Sequence, residues 1–364
     1  MPTNRSTGIF HPHISPTCVS GPWTTTSRAT RIMLTRQGRM SLPGRYAAHP
    51  TSIYTSIRRR PAAGVRLRAS TSAQPQAQLA HLLVSCPDAK GVVASLSQLL
   101  FGLGCNIISS DQYSDIENMM FFQRVAFDYS DLVIGHGNTP VLERAIGELA
   151  RRFDMKWRIA YRTEKKRVAI LVSRLDHCLY DLLIRHKSGE LHCDIPIIMS
   201  NHTDLQSVAE MFNIPFRCLP LANKEDKAAQ EASIEEVLTE LKIDTIILAR
   251  YMQVLSPEFC SKHHSHTINI HHSFLPAFEG ARPYHRAHER GVKIIGATAH
   301  YATSELDAGP IIDQHTTRIT HRDSVADMVR KGRDLERMVL ARAVRWHCDD
   351  RVLVHGNKTV VFED

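Results

Sequence analysis

Apolar and polar positions change rhythm twice along this chain. Residues 1–75 hold no sustained apolar run. From residue 76 short apolar strands flank helical stripes. His81–Cys86 reads as a strand. Val93, Leu96, Leu99, Leu100 and Leu103 recur at helical spacing over Val92–Leu103, and Gly104 closes that helix. Asn106–Tyr113 and Met119–Asp128 read as paired strands, Val141–Arg152 as a second helix and Met155–Tyr161 as a last strand. The order βαββαβ predicts a ferredoxin-like domain over 76–162. A charged linker, 163–167, follows. Strands at Val168–Val172, Asp194–Met199, Pro215–Leu219, Thr245–Leu248 and Thr267–Ile270 then alternate with helices at His177–His186, Thr203–Phe212 and Lys224–Leu241. That alternation predicts an α/β domain over 168–364, Rossmann-like, with a doubly wound and mostly parallel sheet. A helix over Ser324–Trp346 and a hairpin over Val352–Phe362 finish the chain, and both read as structural.

Charge alters the picture at the N-terminus. The chain of 364 residues has a formal charge of +8. Eleven of its 45 Lys and Arg fall in residues 1–87, all Arg, and the first acidic residue is Asp88. The remainder holds 34 basic against 37 acidic residues, a net of −3, so its charge does not suit a nucleic-acid partner. An acid-free stretch rich in Arg, Ser, Thr, Pro and Ala has the composition of an organelle transit peptide. We expect residues 1–75 to be such a leader, mitochondrial before plastid, with cleavage near 68–76. No apolar run is long enough to span a membrane. The eight Cys are scattered without a Cys-x-x-Cys pair, which suits reduced thiols.

The candidate chemistry lies between Ile268 and Pro310. Asn269 and His271 are two apart on a strand, so they share a face, while Ile268 and Ile270 point into a core. An amide and an imidazole side by side can polarise one carbonyl oxygen. Asp307 lies in the turn-forming run Leu-Asp-Ala-Gly-Pro, after a strand at Ile294–Tyr301. If that turn folds back on the first strand, a carboxylate meets the imidazole, an arrangement suited to acyl-group chemistry. His272 is expected to face away from His271. Ser273 lacks the surroundings of a serine nucleophile. His263, His264, His266, His271 and His272 invite a metal, but no Cys or acid falls at ligand spacing, so none is expected.

Asn-Ile-His with Ser-Phe-Leu-Pro, and Leu-Asp-Ala-Gly-Pro-Ile-Ile downstream, resembles the formyltransferase-fold enzymes that use 10-formyltetrahydrofolate. IHHSFLPAFEGARPYHRAHERGVKIIGATAHY is similar to one branch, the formyltetrahydrofolate deformylases, and the likeness runs from about Ala80 to Phe362. The resemblance implies hydrolysis of 10-formyltetrahydrofolate to formate and tetrahydrofolate, in one-carbon and purine metabolism, without a prosthetic group or metal. It implies catalytic roles for Asn269, His271 and Asp307. Asp307 would take a proton from water or hold His271 protonated. His300, as a partner of Asp307, and His285 would support them; His285 has an equal alternative reading as a structural residue at a helix start. The pterin would lie against Met252, Gln253, Val254 and Leu255, with Ala302 and Thr303 facing it; Gln253 replaces the Arg found in transformylases and some deformylases. The loop Ser173–Tyr180 lacks the glycines with which a transformylase holds its substrate's phosphate. Residues 76–162 resemble an ACT regulatory domain, implying an amino-acid effector near Asp88, Lys90, Gly91 and Asn106, and a homo-oligomer. Asp88 has an alternative reading as the cap of the helix that follows.

Overall fold

The computed structural model describes residues 78–364, apart from 134, 136, 222, 224, 225, 278–281 and 364. The expected leader lies outside the described residues.

The N-terminal domain consists of β1 (Leu79–Pro87), α1 (Val92–Gly102), β2 (Asn106–Asp115), β3 (Met120–Asp128), α2 (Thr139–Phe153) and β4 (Lys156–Tyr161). Its antiparallel sheet has the order β2-β3-β1-β4, the ferredoxin-like arrangement. One face buries Leu82, Val84, Phe121, Val125 and Phe127 against Leu96 and Leu100 of α1 and Leu142 and Ile146 of α2. The spacing of those helical residues is what sets each helix against the sheet. Gly91, with φ of 92°, sits at the start of α1 without a side-chain cap. Asp88 is exposed and does not cap the helix, contrary to its alternative reading.

The second domain opens with β5 (Lys166–Val172), α3 (His177–Lys187), β6 (Cys193–Ser200), α4 (Gln206–Met211), β7 (Phe216–Cys218), α5 (Lys227–Glu240) and β8 (Thr245–Leu248). It continues with α6 (Pro257–Lys262), β9 (Thr267–His271), α7 (Pro283–Arg290), β10 (Ile294–Tyr301), β11 (Ile311–Arg318), α8 (Val325–Cys348) and the hairpin β12 (Val352–His355) to β13 (Lys358–Val361). The seven-stranded sheet has the order β11-β10-β9-β8-β5-β6-β7. Strands β5 to β9 are mutually parallel, while β10 runs antiparallel to both β9 and β11. Both faces are covered, so the central strands read as unbroken apolar runs. Three elements were not anticipated. Helices α6 and α7 are short and start at Pro257 and Pro283; β11 mixes polar and apolar residues because it is an edge strand. Helix α8 starts at a capping box made by Ser324 and Asp327.

The free face of the first sheet meets the end of α8. Arg124 donates to the Asp350 and Asp349 carbonyls at 2.9 and 3.1 Å. The buried Asp350 carboxylate takes Arg158 at 2.5 Å and Lys166 at 2.6 Å. Burial alone would raise its pKa; the His81 contact, Lys166 and Arg158 outweigh that and hold it well below the usual carboxylate range. Seven cysteines among the described residues are free thiols, six of them buried, and no described helix is long and apolar enough to cross a membrane.

Candidate active site

Parallel strands β5, β8 and β9 present their C-terminal ends to one crevice, where ligands bind in such sheets. A cavity of about 500 Å³ opens there. Asn269 and His271 lie on its floor because alternate residues of β9 face it, and buried Ile268 and Ile270 anchor the other side.

Strand β10 decides what these two side chains meet. Its antiparallel register sets Thr298 opposite His271 and His300 opposite Asn269. The turn after β10 then brings Asp307 to 3.1 Å from His271, Oδ1 to Nδ1. Asp307 has φ of 58°, a left-handed conformation that Asp tolerates better than most residues. Gly309 lies so close to the Tyr301 carbonyl that a Cβ could not be placed there, which is the physical reason for glycine in Leu-Asp-Ala-Gly-Pro. With Nδ1 donating to Asp307, His271 presents Nε2 to the cavity, and this buried atom has no hydrogen-bond partner among the described residues.

His300 supports a residue beyond the one expected. Burial pushes its imidazole below the usual histidine range, so the ring is neutral. Its Nδ1–H donates to the Tyr301 carbonyl at 3.0 Å. Nε2 is therefore an acceptor, and takes the Asn269 amide N–H at 3.1 Å. Asp307 is 3.8 Å from that same nitrogen; two acceptors facing each other make no hydrogen bond. His300 is thus the orienter of Asn269 and fixes which end of the amide points its remaining N–H outward. The expected contact with Asp307 is present at 3.8 Å, and the β9–β10 register adds the hydrogen bond to Asn269.

Met252, Gln253, Val254, Leu255, Ala302 and Thr303 line the cavity together, as expected. The Met252 N–H donates to Ser173 Oγ at 3.0 Å, and Ser173 donates to Asn201 at 2.7 Å, so the buried ends of β5 and β6 hold this loop. Met252, Val254 and Leu306 are 57%, 58% and 60% exposed, an apolar rim that a flat heteroaromatic ring would cover. His285 is not with the trio: it is exposed on α7, whose first turn faces a neighbouring cavity. Its helical phase, invisible in the motif, carries it away. Asp88, Lys90, Gly91 and Asn106 are all exposed on the N-terminal domain and none lines the catalytic cavity.

Several contributors were missed. His272 lines the cavity instead of facing wholly into structure, because β9 ends at His271 and the chain turns. Burial first, then the charge of Arg250, lowers its pKa to about 3, so it is neutral. Arg250 also lines the cavity and is 3.3 Å from Glu336 on α8. Glu336 takes His177 at 2.8 Å and the Tyr284 hydroxyl at 2.8 Å. Tyr284 reaches it by lying against Gly332, where any side chain would collide with its ring. Reading α8 as purely structural is therefore corrected. The signal was a lone Glu on the apolar face of a helix. Among the described residues, His177, Cys178 and Glu336 are close enough to share a metal ion. Their chemistry does not fit one: burial and Glu336 raise the Cys178 thiol pKa well above its ordinary value, and Glu336 is already engaged by an arginine. His263 instead contacts Glu235 at 2.6 Å, and His266 the Asp244 carbonyl at 3.0 Å.

Comparison with known proteins gives the family. The formyl transferase family matches residues 166–344. A formyltetrahydrofolate deformylase from Synechocystis sp. is 52% identical over 283 residues, covering 78% of this chain and 98% of that protein. Its counterpart from Bacillus subtilis is 49% identical over 283 residues, covering 78% and 93%. The crystal structure of a formyltetrahydrofolate deformylase from Pseudomonas syringae pv. tomato is 46% identical with a TM-score of 0.76, covering 79% of this chain and 96% of that one. A glycinamide ribonucleotide transformylase from Symbiobacterium toebii is 25% identical with a TM-score of 0.53, but it spans only 56% of this chain.

Proposed function

This chain belongs to the formyltetrahydrofolate deformylases, and from that premise and the cavity's geometry we infer how it hydrolyses 10-formyltetrahydrofolate to formate and tetrahydrofolate. The observation that carries the mechanism is the unpartnered Nε2 of His271, beside Asn269 and backed by Asp307. The formyl oxygen sits between the outward N–H of Asn269 and His271 Nε2. Water adds to the formyl carbon and charge grows on that oxygen. The Asn269 N–H, and an N–H on His271 Nε2, stabilise it, each by about 3–4 kcal/mol. Asp307 accepts from His271 Nδ1 and orients the imidazole. The carbon–N10 bond then breaks, one proton of the added water passes to N10, the other is released to solvent, and formate departs. The pterin lies against Met252–Leu255 and is faced by Ala302 and Thr303. Backbone groups suffice for much of that recognition, which tolerates Gln253.

Residues 76–162 are proposed to be an ACT-like regulatory domain, followed by the linker 163–167 and the catalytic domain 168–364. The sheet order β2-β3-β1-β4 supports this. An amino-acid effector near Asp88, Lys90, Gly91 and Asn106 would restrain an enzyme that spends activated one-carbon units drawn on by purine synthesis. Isothermal titration with glycine and methionine tests it, and no heat from either removes the idea. Assembly into a homo-oligomer through this domain is part of the same proposal. The acid-free composition of residues 1–75 supports a mitochondrial leader; a fusion of these residues to a fluorescent protein that stays in the cytosol would refute it.

The reaction is tested by incubating the purified chain with 10-formyltetrahydrofolate and no amine. Formate and tetrahydrofolate should appear in equal amounts, and Asp307→Asn should nearly abolish both. Tight folate binding with no formate refutes the hydrolytic reading.

A further inference from the structure

Tyr301 closes β10 and is one of the largest buried side chains among the described residues. Strand alternation sends His300 to the catalytic cavity and the Tyr301 ring to the opposite face, into the apolar cluster shared with α8. There the phenol meets more than hydrocarbon. Its hydroxyl is 2.8 Å from Nδ1 of His347, on α8, and Nε2 of the same ring is 3.0 Å from Thr245 Oγ1, at the start of β8. Burial first, then the charges of Lys166 and Arg158, lower the His347 pKa to about 3. The ring is therefore neutral, with one nitrogen donating and the other accepting, and the two hydroxyls take the complementary roles. Apolar side chains of like volume would fill this space without drawing three polar groups out of water. A directional contact fixes an angle that packing by shape alone leaves free.

The backbone of Tyr301 is where both arms of the catalytic cluster attach. Its carbonyl accepts from His300 Nδ1 at 3.0 Å, which leaves His300 Nε2 to accept from the Asn269 amide at 3.1 Å. Gly309 lies against the same carbonyl, and the Tyr301 N–H donates to the Pro310 carbonyl at 2.9 Å. Gly309 and Pro310 end the turn that carries Asp307 to His271. A rotation of this one residue's backbone would tilt the Asn269 amide and shift the Asp307 carboxylate together. Ladder bonds, such as Ala302 N–H to the Thr267 carbonyl at 2.8 Å, set the spacing of β10 from β9. Rotation about the strand axis is set by the angle at which the phenol meets His347.

We propose that Tyr301 and His347 are positioning residues for the catalytic cluster. Their buried hydroxyl–imidazole contact locks the backbone of Tyr301, which in turn holds the His300 tautomer that aims Asn269 and the turn that places Asp307. Neither side chain lines the catalytic cavity, so both act only through other residues. The kinetic consequence rests on the deformylase reading. The structural consequence, which nitrogen of His300 carries its proton, does not.

The test uses the full chain. Tyr301→Phe keeps the ring and removes the hydroxyl. His347→Asn and His347→Gln form a second arm. An Asn amide lies where Nδ1 of histidine lies and still meets Tyr301; a Gln amide lies where Nε2 lies and meets Thr245 instead. Tyr301→Phe and His347→Gln should lower kcat for formate release about tenfold, with KM for 10-formyltetrahydrofolate within about twofold. His347→Asn should hold kcat within about threefold of wild type. Each His347 variant loses one hydrogen bond, so their thermal midpoints should fall alike. Nitrogen-15 spectra of histidine-labelled protein read the His300 ring with no substrate present, its signals assigned by their loss in His300→Gln. Wild type and His347→Asn should show one tautomer, protonated at Nδ1. Tyr301→Phe and His347→Gln should show both tautomers in exchange. A folded Tyr301→Phe protein with wild-type kcat, or with an unchanged His300 signal, overturns the proposal. Equal kcat losses in His347→Asn and His347→Gln also overturn it, because general damage to the core would not distinguish the two ring nitrogens. If Tyr301→Phe does not fold, the His347 pair decides alone. A wild type that releases no formate, while the His300 tautomer still responds to Tyr301→Phe, would remove the deformylase reading and leave the positioning role standing.

Discussion

Replacing Gly309 by Ala tests whether one turn places the catalytic carboxylate. A Cβ at 309 would run into the Tyr301 carbonyl, and would also meet Thr303 Cγ2 at 3.1 Å. The carbonyl cannot yield freely: it accepts from His300 Nδ1, and its residue closes β10. The turn carrying Asp307 must therefore move, by more than about 1 Å, and an error of that size at a reacting group costs about 10²-fold in rate. Overpacking should also destabilise the fold by about 1–3 kcal/mol. We expect kcat for formate release to fall about 100-fold in Gly309→Ala, with the protein still folded by circular dichroism and only a modest loss in thermal midpoint. Gly102→Ala is the control: it lies at the end of α1 with nothing near an added Cβ, so rate and fold should be retained. A folded Gly309→Ala protein with wild-type kcat would refute the argument that this close approach positions Asp307.

Further outcomes follow from the same geometry. Asn269→Ala removes one donor to the developing oxyanion and should lower kcat about 10²–10³-fold with little change in folate binding; equal losses in kcat and binding would deny it that role. His272, His300 and His347 are neutral through burial, His272 and His347 with pKa values of about 3. The unfolded chain binds protons at these residues below about pH 6.5 and the folded one does not, so stability should fall on acidification, by up to about 1.4 kcal/mol per pH unit for each. A thermal midpoint that is flat between about pH 7 and pH 5 would contradict this. Asp350→Ala strands Lys166 and Arg158 where the first sheet meets α8. Since the Arg158 side chain is 45% exposed, the loss should be about 2–3 kcal/mol, below the full value for a buried pair. Urea unfolding measures it, and a change under about 0.5 kcal/mol would refute it. The Asp350 contribution should persist above the unfolded-state carboxylate pKa, near pH 4, and be lost only as pH falls below it.

Much of this architecture was legible because local backbone geometry writes itself into sequence. Helical spacing in Val92–Leu103 and unbroken apolar strands such as Val168–Val172 reflect how many faces each element buries. Short α6 and α7 were missed because six or eight residues carry too little period, and β11 because an edge strand need not be apolar on both faces. The pairing of Asn269 with His271 was legible for the same local reason: a pleated strand puts alternate residues on one face.

Contacts between distant segments account for the rest. That Asp307 reaches His271, that His300 hydrogen-bonds Asn269, and that Glu336 of α8 braces Arg250 all depend on strand register and helix docking between distant segments. Such contacts leave no periodic trace, because each partner's local conformation would be the same without the other. Local pattern along the chain thus specifies the two α/β domains and a polar pair at one strand end. Packing determined which carboxylate, which imidazole and which guanidinium surround that pair, because only in the folded chain are these groups drawn out of water to within hydrogen-bonding distance of one another.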